Sequence, residues 1–455
     1  MSEEQTAGQR ELVQMAWPLA VGMLSFTVMG ATDTLLMGRV ATEAQAGVGL
    51  SATMIYLVVA FFRGLTSGAQ SLVSASHGAG TMSRVRQACG SGITLGFLSG
   101  LIATALTLLF ARYVLAGLAA DESVAQHAGA YMTVRALGLP IALLSFAAMS
   151  CLQGLGDTRI RMWASLAGNA VNIVLDLVLI FGAGPIPALG AEGAAWATVG
   201  GVSTMALFYA WRFRMVIGWP GRPSMSVVRD CLKVGLPAGG QALVGALSFA
   251  LMMALLARIG AAHLAASQIA LNIISVSFLP GYGLAEAASI LSSRLYGAGR
   301  FGAAADAIGS ARRLALVIMG VCALLFIVFD GPLIALFSVD PSVQQIGRQL
   351  LWCAAGFQLF DAVVAVHLCA LRGLGDTRYT FAATTAAGWG VMLPLTYLLA
   401  WHMQLGALGA WMAMTAELAT LSILTSLRIR GVRRGHVGRR DLLLGGSDYK
   451  VVSHQ

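Results

Sequence analysis

Apolar runs of about 20 residues recur twelve times along this chain, and no other feature narrows its possible folds so far. A run of that length without charge is what an α-helix needs to cross roughly 30 Å of hydrocarbon. The spans read as 13–37, 47–72, 89–112, 125–150, 162–182 and 188–211, then 234–256, 264–290, 311–333, 345–371, 381–401 and 405–427. With 57% apolar and 11% charged residues, and a mean hydropathy of +0.77, a soluble globular class is excluded. The expected fold class is an all-α integral membrane protein. Its 54 glycines fit that class, because small residues let helices approach closely where no hydrophobic effect drives them together.

Those spans fall into two sets of six. Gly154-Leu155-Gly156-Asp157-Thr158-Arg159 is written again as Gly373-Leu374-Gly375-Asp376-Thr377-Arg378, an offset of 219 residues. The same offset carries Arg10 onto Arg229, Pro18 onto Pro237, Arg39 onto Arg258, Gly64-Leu65 onto Gly283-Leu284 and Gly78-Ala79-Gly80 onto Gly297-Ala298-Gly299. A constant offset over so long a stretch is the mark of a duplicated structural unit. The expected organisation is a cytoplasmic N-terminus (1–12), a first six-helix lobe (13–211), a polar linker (212–233), a second lobe (234–427) and a basic tail (428–455). Six spans per half make the repeat parallel, with a central cleft expected between the pseudo-symmetric lobes.

A net charge of +9 raises the question of nucleic acid, and the positions of the charges answer it. Arg84 and Arg86, Arg159 and Arg161, Arg212 to Lys233, Arg294 to Arg313, Arg372 and Arg378, and the tail from Arg428 all follow even-numbered spans. Glu43, Asp121, Glu122, Asp330 and Asp340 fall in the odd-numbered connections. By the positive-inside rule the even loops and both termini face the cytoplasm, and no nucleic-acid surface is expected. The six cysteines lack metal-ligand spacing and read as small buried hydrophobes. The polar start Ser2 to Glu11 runs into a full-length span, so no cleavable signal is expected.

Ionisable groups inside spans are expensive and default to functional candidates. Asp33 lies late in the first span, Asp176 in the fifth, Glu286 late in the eighth and Asp361 in the tenth. Asn172 and Asp176, four residues apart, share one helical face where an amide and a carboxylate can meet one cation or proton; Thr198 in the sixth span can add a hydroxyl. The bland alternatives are helix capping near the headgroups for Asp33 and Asp176, and a structural ion pair for Glu286, eight residues before Arg294. The 219 offset places Asp33 on Met252, Asp361 on Ala142 and Glu286 on Ser67, with Asp176 beside Leu395. The halves share a scaffold of Gly, Pro and Arg but not the acids, which favours specialised sites. Arg63 reads as the one basic residue well inside an apolar stretch, with Asp33 as a candidate partner. His367 and the span Met and Trp residues read as packing, and Pro18 and Pro237 as marks of helix starts.

Asp33-Thr34-Leu35-Leu36-Met37-Gly38-Arg39, Asn172-Ile173-Val174-Leu175-Asp176, Gly193-Ala194-Ala195-Trp196-Ala197-Thr198 and the doubled Gly-Leu-Gly-Asp-Thr-Arg, set in two six-span halves, together resemble the multidrug and toxic compound extrusion (MATE) family over residues 10–430. The resemblance implies a monomeric antiporter in the bacterial plasma (inner) membrane. It would expel cationic, amphipathic, drug-like compounds by alternating access in exchange for H⁺ or Na⁺, with lipids as surroundings and no other cofactor. It further implies that Asp33, Asn172, Asp176 and Thr198 form a first-half cluster for protonation or Na⁺ binding. Asp361 matches the tenth-span acid of the NorM-like branch, a second possible Na⁺ site. That branch carries a seventh-span glutamate where this chain has Gly245 by spacing from Pro237, so the second-half site is incomplete unless Glu286 substitutes. A lipid-linked saccharide flippase of the wider superfamily is the alternative; it would be expected to carry more cations in its cleft than Arg63. No phosphate loop, metal spacing or nucleophile elbow suggests an enzyme.

Overall fold

The computed structural model describes residues 3–118 and 121–438, with Asp441 and Leu443. Most of the expected tail, beyond residue 438, therefore lies outside the described residues. Twelve long helices occupy the twelve expected spans: α1 (Glu3–Met37), α2 (Thr42–Gly78), α3 (Met82–Leu118), α4 (Glu122–Gly154), α5 (Arg159–Phe181), α6 (Ala191–Val216), α7 (Met225–Ile259), α8 (Ala261–Gly297), α9 (Phe301–Val328), α10 (Pro341–Gly373), α11 (Thr377–His402) and α12 (Gly406–Ile429). Eleven of them are long and apolar enough to cross a membrane. The exception, α6, has the length at 26 residues, but Gly193, Gly200, Gly201, Ser203 and Thr204 dilute its apolarity. Among the described residues there is no strand, only an isolated bridge between Ala183 and Ile186. The polar segment 212–233 is itself helical at both ends, which leaves residues 217–224 as its irregular part.

These helices are arranged for lipid. On α9, Val317, Val321, Leu324 and Val328 point outward at 55% exposure or more, while Ala304, Ala307, Ala311 and Ala315 are buried. Large apolar side chains face out and small ones face in, the reverse of a soluble protein, since hydrocarbon solvates Val as well as the protein interior does.

Packing divides the chain into two units, Val21–Gly239 and Met1–Ala20 with Gly240–Gln455. Each cut falls inside a long helix, α1 or α7, two residues after its proline. Within the first unit, glycines bring α7 against α2. A Cβ on Gly64 would lie 2.4 Å from Gly239 Cα, and one on Gly68 would lie 2.2 Å from the Cys231 carbonyl oxygen. Within the second unit the related contact is Gly283 of α8 on α1, where a Cβ would lie 2.8 Å from the Ala16 oxygen. Pro18 and Pro237 are interior to helices that begin at Glu3 and Met225. The expectation of helix starts is therefore corrected: both helices extend beyond their apolar spans, and each proline removes a backbone hydrogen bond mid-helix.

Three positions of the doubled loop have a structural task. Gly154 and Gly373 allow close approach, since a Cβ there would lie 2.9 Å from Gln70 O and 2.5 Å from Ser289 O respectively. Gly156 and Gly375 take φ of +89° and +76°, the left-handed conformation that closes a helix C-terminus. Asp157 then binds Arg212 Nε at 2.5 Å, and Asp376 binds Arg428 Nε at 2.7 Å. The loop ties the ends of α4 and α10 to those of α6 and α12, as its repetition in two homologous loops requires. In α11 the backbone widens into π-helical turns at Gly388–Met392 and Tyr397–His402. Pro394 lies between them, lacking an N–H and crowding the carbonyl of Gly390, and the wider turn relieves that clash.

Candidate functional site

Asp33 sits one turn before the end of α1 and is buried. Thr198 of α6 donates its hydroxyl to Asp33 Oδ2 at 3.1 Å; the same hydroxyl lies 3.0 Å from Ala194 O, so one proton serves two acceptors. Asn172 and Asp176, a turn apart on α5, are both wholly buried. Asp176 interacts electrostatically with Asp33, and Asn172 lies beside Asp33. The four residues singled out in the first half therefore converge from three helices on one place, and Asp33 and Asp176 do not cap helix ends. Asp33 Oδ1, both Asp176 oxygens and Asn172 Oδ1 have no hydrogen-bond partner, against one unpartnered donor, Asn172 Nδ2. A buried polar atom left unpaired costs about 1–3 kcal/mol. Four such acceptors in one cluster make it a poor structural device and a fitting receptor for a proton or a small cation. The α1–α5 seam carries further polar pairs below it, Ser25 Oγ donating to Ser165 O at 3.1 Å and Asn169 Nδ2 to Ser25 O at 3.3 Å.

Arg135 of α4 lies within electrostatic range of Asp33 and of its own helix neighbour Tyr131. Its Nε has no hydrogen-bond partner. The statement that Arg63 is the one basic residue well inside a span is thus corrected: Arg135 occupies the middle of α4, and it, not Arg63, attends the acids. Arg63 is exposed, and its guanidinium stacks 5.2 Å above the ring of Phe146. No ion pair joins it to Asp33 among the described residues. The signal for Arg135 was present in Thr133-Val134-Arg135-Ala136, a lone charge in an apolar run.

In the second unit the candidates do not form one cluster. Asp361 of α10 is buried with Oδ2 unpartnered. Gln358, a turn earlier, donates to the Ser277 hydroxyl of α8 and leaves its own Oε1 unpartnered. Two orphan acceptors thus line one face of α10. Glu286 is engaged elsewhere, 4.0 Å from Arg372 Nη1. Arg294, its suggested partner by spacing, pairs instead with Glu11. At Gly245, where the NorM-like branch has glutamate, a Cβ would meet nothing within 4 Å. His367 is a packed, hydrogen-bonded core residue, with Nδ1 3.2 Å from Thr425 Oγ1.

One acid escaped the sequence reading. Glu417 of α12 places Oε1 3.4 Å, and Ser248 of α7 places Oγ 3.0 Å, from where a Cβ on Gly388 would stand. Its span was read as apolar, and a single glutamate in Met414-Thr415-Ala416-Glu417 was the available sign. No group of three or more His, Cys, Asp or Glu able to hold a metal occurs among the described residues.

The geometry has named relatives. A family model described as MatE matches residues 18–178 and again 237–398. The two matches start 219 residues apart, the offset of the internal repeat. A probable multidrug resistance protein NorM of Burkholderia mallei is 32% identical over 92% of this chain and 92% of its own. One of Thermotoga maritima is 29% identical over 93% of each. Among solved structures, an outward-facing multidrug resistance MATE family transporter aligns with a TM-score of 0.86 at 21% identity, over 93% of this chain and 96% of that one. A eukaryotic MATE transporter aligns at 0.84 and 18%, over 97% and 100%. At those identities the structures share the fold, two lobes of six spans.

Proposed function

The chain belongs to the MatE family, and from that premise we propose that it exports amphipathic, mainly cationic compounds across the bacterial plasma membrane in exchange for H⁺ or Na⁺. The relatives named as multidrug resistance proteins support the export reading. One observation carries the coupling: the buried cluster of Asp33, Asp176, Asn172 and Thr198, with four oxygen acceptors left unpaired where three helices meet.

The proposed cycle follows from charge. An entering proton or Na⁺ supplies the positive charge that Asp33 and Asp176 lack. Neutralising Asp33 weakens its hold on Thr198 and on Arg135, and so loosens the end of α1 from α4 and α6. Because α1 also contains Pro18, a change at Asp33 acts on a helix with an interrupted hydrogen-bond ladder. Binding of the ion thereby shifts the population between access states, and it does so only as far as its affinities for the two differ.

The test is efflux of a fluorescent organic cation from inverted vesicles under an imposed pH gradient or, separately, a Na⁺ gradient. Asp33→Asn and Asp361→Asn are each expected to abolish ion-driven transport while the protein still inserts and folds. Normal transport by both variants would refute the site assignment, and the effective gradient identifies the ion.

A further inference from the structure

Away from the buried cluster, the start of α3 meets the α6–α7 connection around a cavity of about 460 Å³, lined by Ser83, Arg84, Arg86, Gln87, Gly221 and Arg222. That volume falls in the range of small-molecule sites, about 300–1,000 Å³. Its walls are fastened: Gly221 N–H donates to Arg86 O at 2.8 Å, and Ser224 N–H to Ser91 Oγ at 3.1 Å. Gly90 makes the approach possible, since a Cβ there would stand 1.8 Å from Gly221 O.

The charges lining the cavity are not balanced. Asp230 attends two cations, Arg84 at 3.7 Å and Lys233 at 3.0 Å. Arg86 and Arg222 are exposed and, among the described residues, have no acidic partner. Cations without an acidic partner beside one cavity select an anion with several oxygens. Three exposed apolar side chains flank these residues in sequence: Met82 and Met225, which open α3 and α7, at 45% and 78%, and Trp219 in the α6–α7 connection, at 69%. Exposed Trp is enriched at the headgroup level of a bilayer. We infer that this cavity binds the phosphate of an anionic lipid headgroup, with the acyl chains lying along Met82, Trp219 and Met225.

The inference is tested on the purified full chain in a neutral detergent. Phosphatidylglycerol, phosphatidylcholine and inorganic phosphate are titrated separately, and thermal protection is read as an apparent affinity. Phosphatidylglycerol is expected to protect where phosphatidylcholine does not. Arg86→Gln with Arg222→Gln should weaken that binding about 30-fold, or ~1 kcal/mol per cation. A charge-matched control, Arg258→Gln with Arg430→Gln, should keep the wild-type affinity. The lipid-free melting temperature of each variant establishes that it is folded. Retention of phosphatidylglycerol binding by the Arg86/Arg222 variant within about threefold overturns the site. Equal protection by phosphatidylcholine overturns the headgroup selectivity, and equal protection by inorganic phosphate overturns the lipid as its source.

Discussion

Replacing Thr198 by Val keeps the β-branched shape of the side chain and removes the hydroxyl that donates to Asp33 Oδ2 at 3.1 Å. Asp33 Oδ1 already lacks a partner, so the carboxylate would lose the donor that Oδ2 holds. A hydrogen bond to a charged group contributes about 1.5–3 kcal/mol. With about 2.1 cal/mol/K of unfolding entropy per residue, a chain of this size should melt roughly 2 °C lower for ~2 kcal/mol. The single variant does not isolate the pair, because the same hydroxyl also serves Ala194 O at 3.0 Å. A double-mutant cycle with Asp33→Asn does. In the Asp33→Asn background the hydroxyl meets a neutral amide and contributes only about 0.5–1.5 kcal/mol, so the coupling between positions 33 and 198 should be about 1–1.5 kcal/mol. The four proteins are melted in the same detergent at mildly alkaline pH, with tryptophan fluorescence as the readout. A coupling below ~0.3 kcal/mol would mean that Asp33 does not meet Thr198 as a carboxylate, and the ion-coupling account built on that contact would fail.

Other perturbations separate packing from charge. Gly68→Ala places a Cβ 2.2 Å from the Cys231 carbonyl oxygen and should destabilise by about 1–3 kcal/mol or more, whereas Gly49→Ala, with nothing within 4 Å, should leave the melting temperature unchanged or raise it; equal effects would refute the α2–α7 contact. Arg135→Gln removes the cation facing Asp33 and should strengthen Na⁺-dependent thermal protection by about tenfold in apparent affinity; no change would place Arg135 outside the cluster's field. Asp340 caps α10, and the Ser342 hydroxyl and amide hold its carboxyl below the ordinary value of 3.8. Its folded value being depressed, the cap is intact above pH 3.8 and is lost as pH falls through the lower folded value. The protection factor of the Ser342 amide, its exchange rate referred to the intrinsic rate at the same pH, should therefore fall on acidification below 3.8 in the wild type and be low throughout in Asp340→Ala.

Much of this was legible in the sequence because the relevant signals are local. Apolar length located every span, and identity between two loops located the repeat. A single acid in an apolar run located Asp33, Asp176 and Asp361. Partnership across space was not legible. Nothing in the spacing of Glu286 says that it meets Arg372 rather than Arg294, and nothing around Pro18 says that its helix begins at Glu3. Glu417 shows why even the repeat has limits. Near the ends of the halves the correspondence shifts, Leu189-Gly190-Ala191 matching Leu405-Gly406-Ala407 at an offset of 216, which brings Glu417 onto Gly201. In the first unit Gly201 cannot carry a side chain: a Cβ there would stand 2.7 Å from Gly168 O and 3.1 Å from Asn172 Cβ. In the second unit the same position holds a glutamate, whose carboxylate reaches the π-helical turn of α11 at Gly388. The space at Gly201 is closed by Gly168 O and by Met29 Cε at 2.8 Å, with Asn172 of the first cluster next in line. One scaffold therefore holds two different polar arrangements, an Asn-Asp pair on α5 in one copy and a glutamate on α12 in the other.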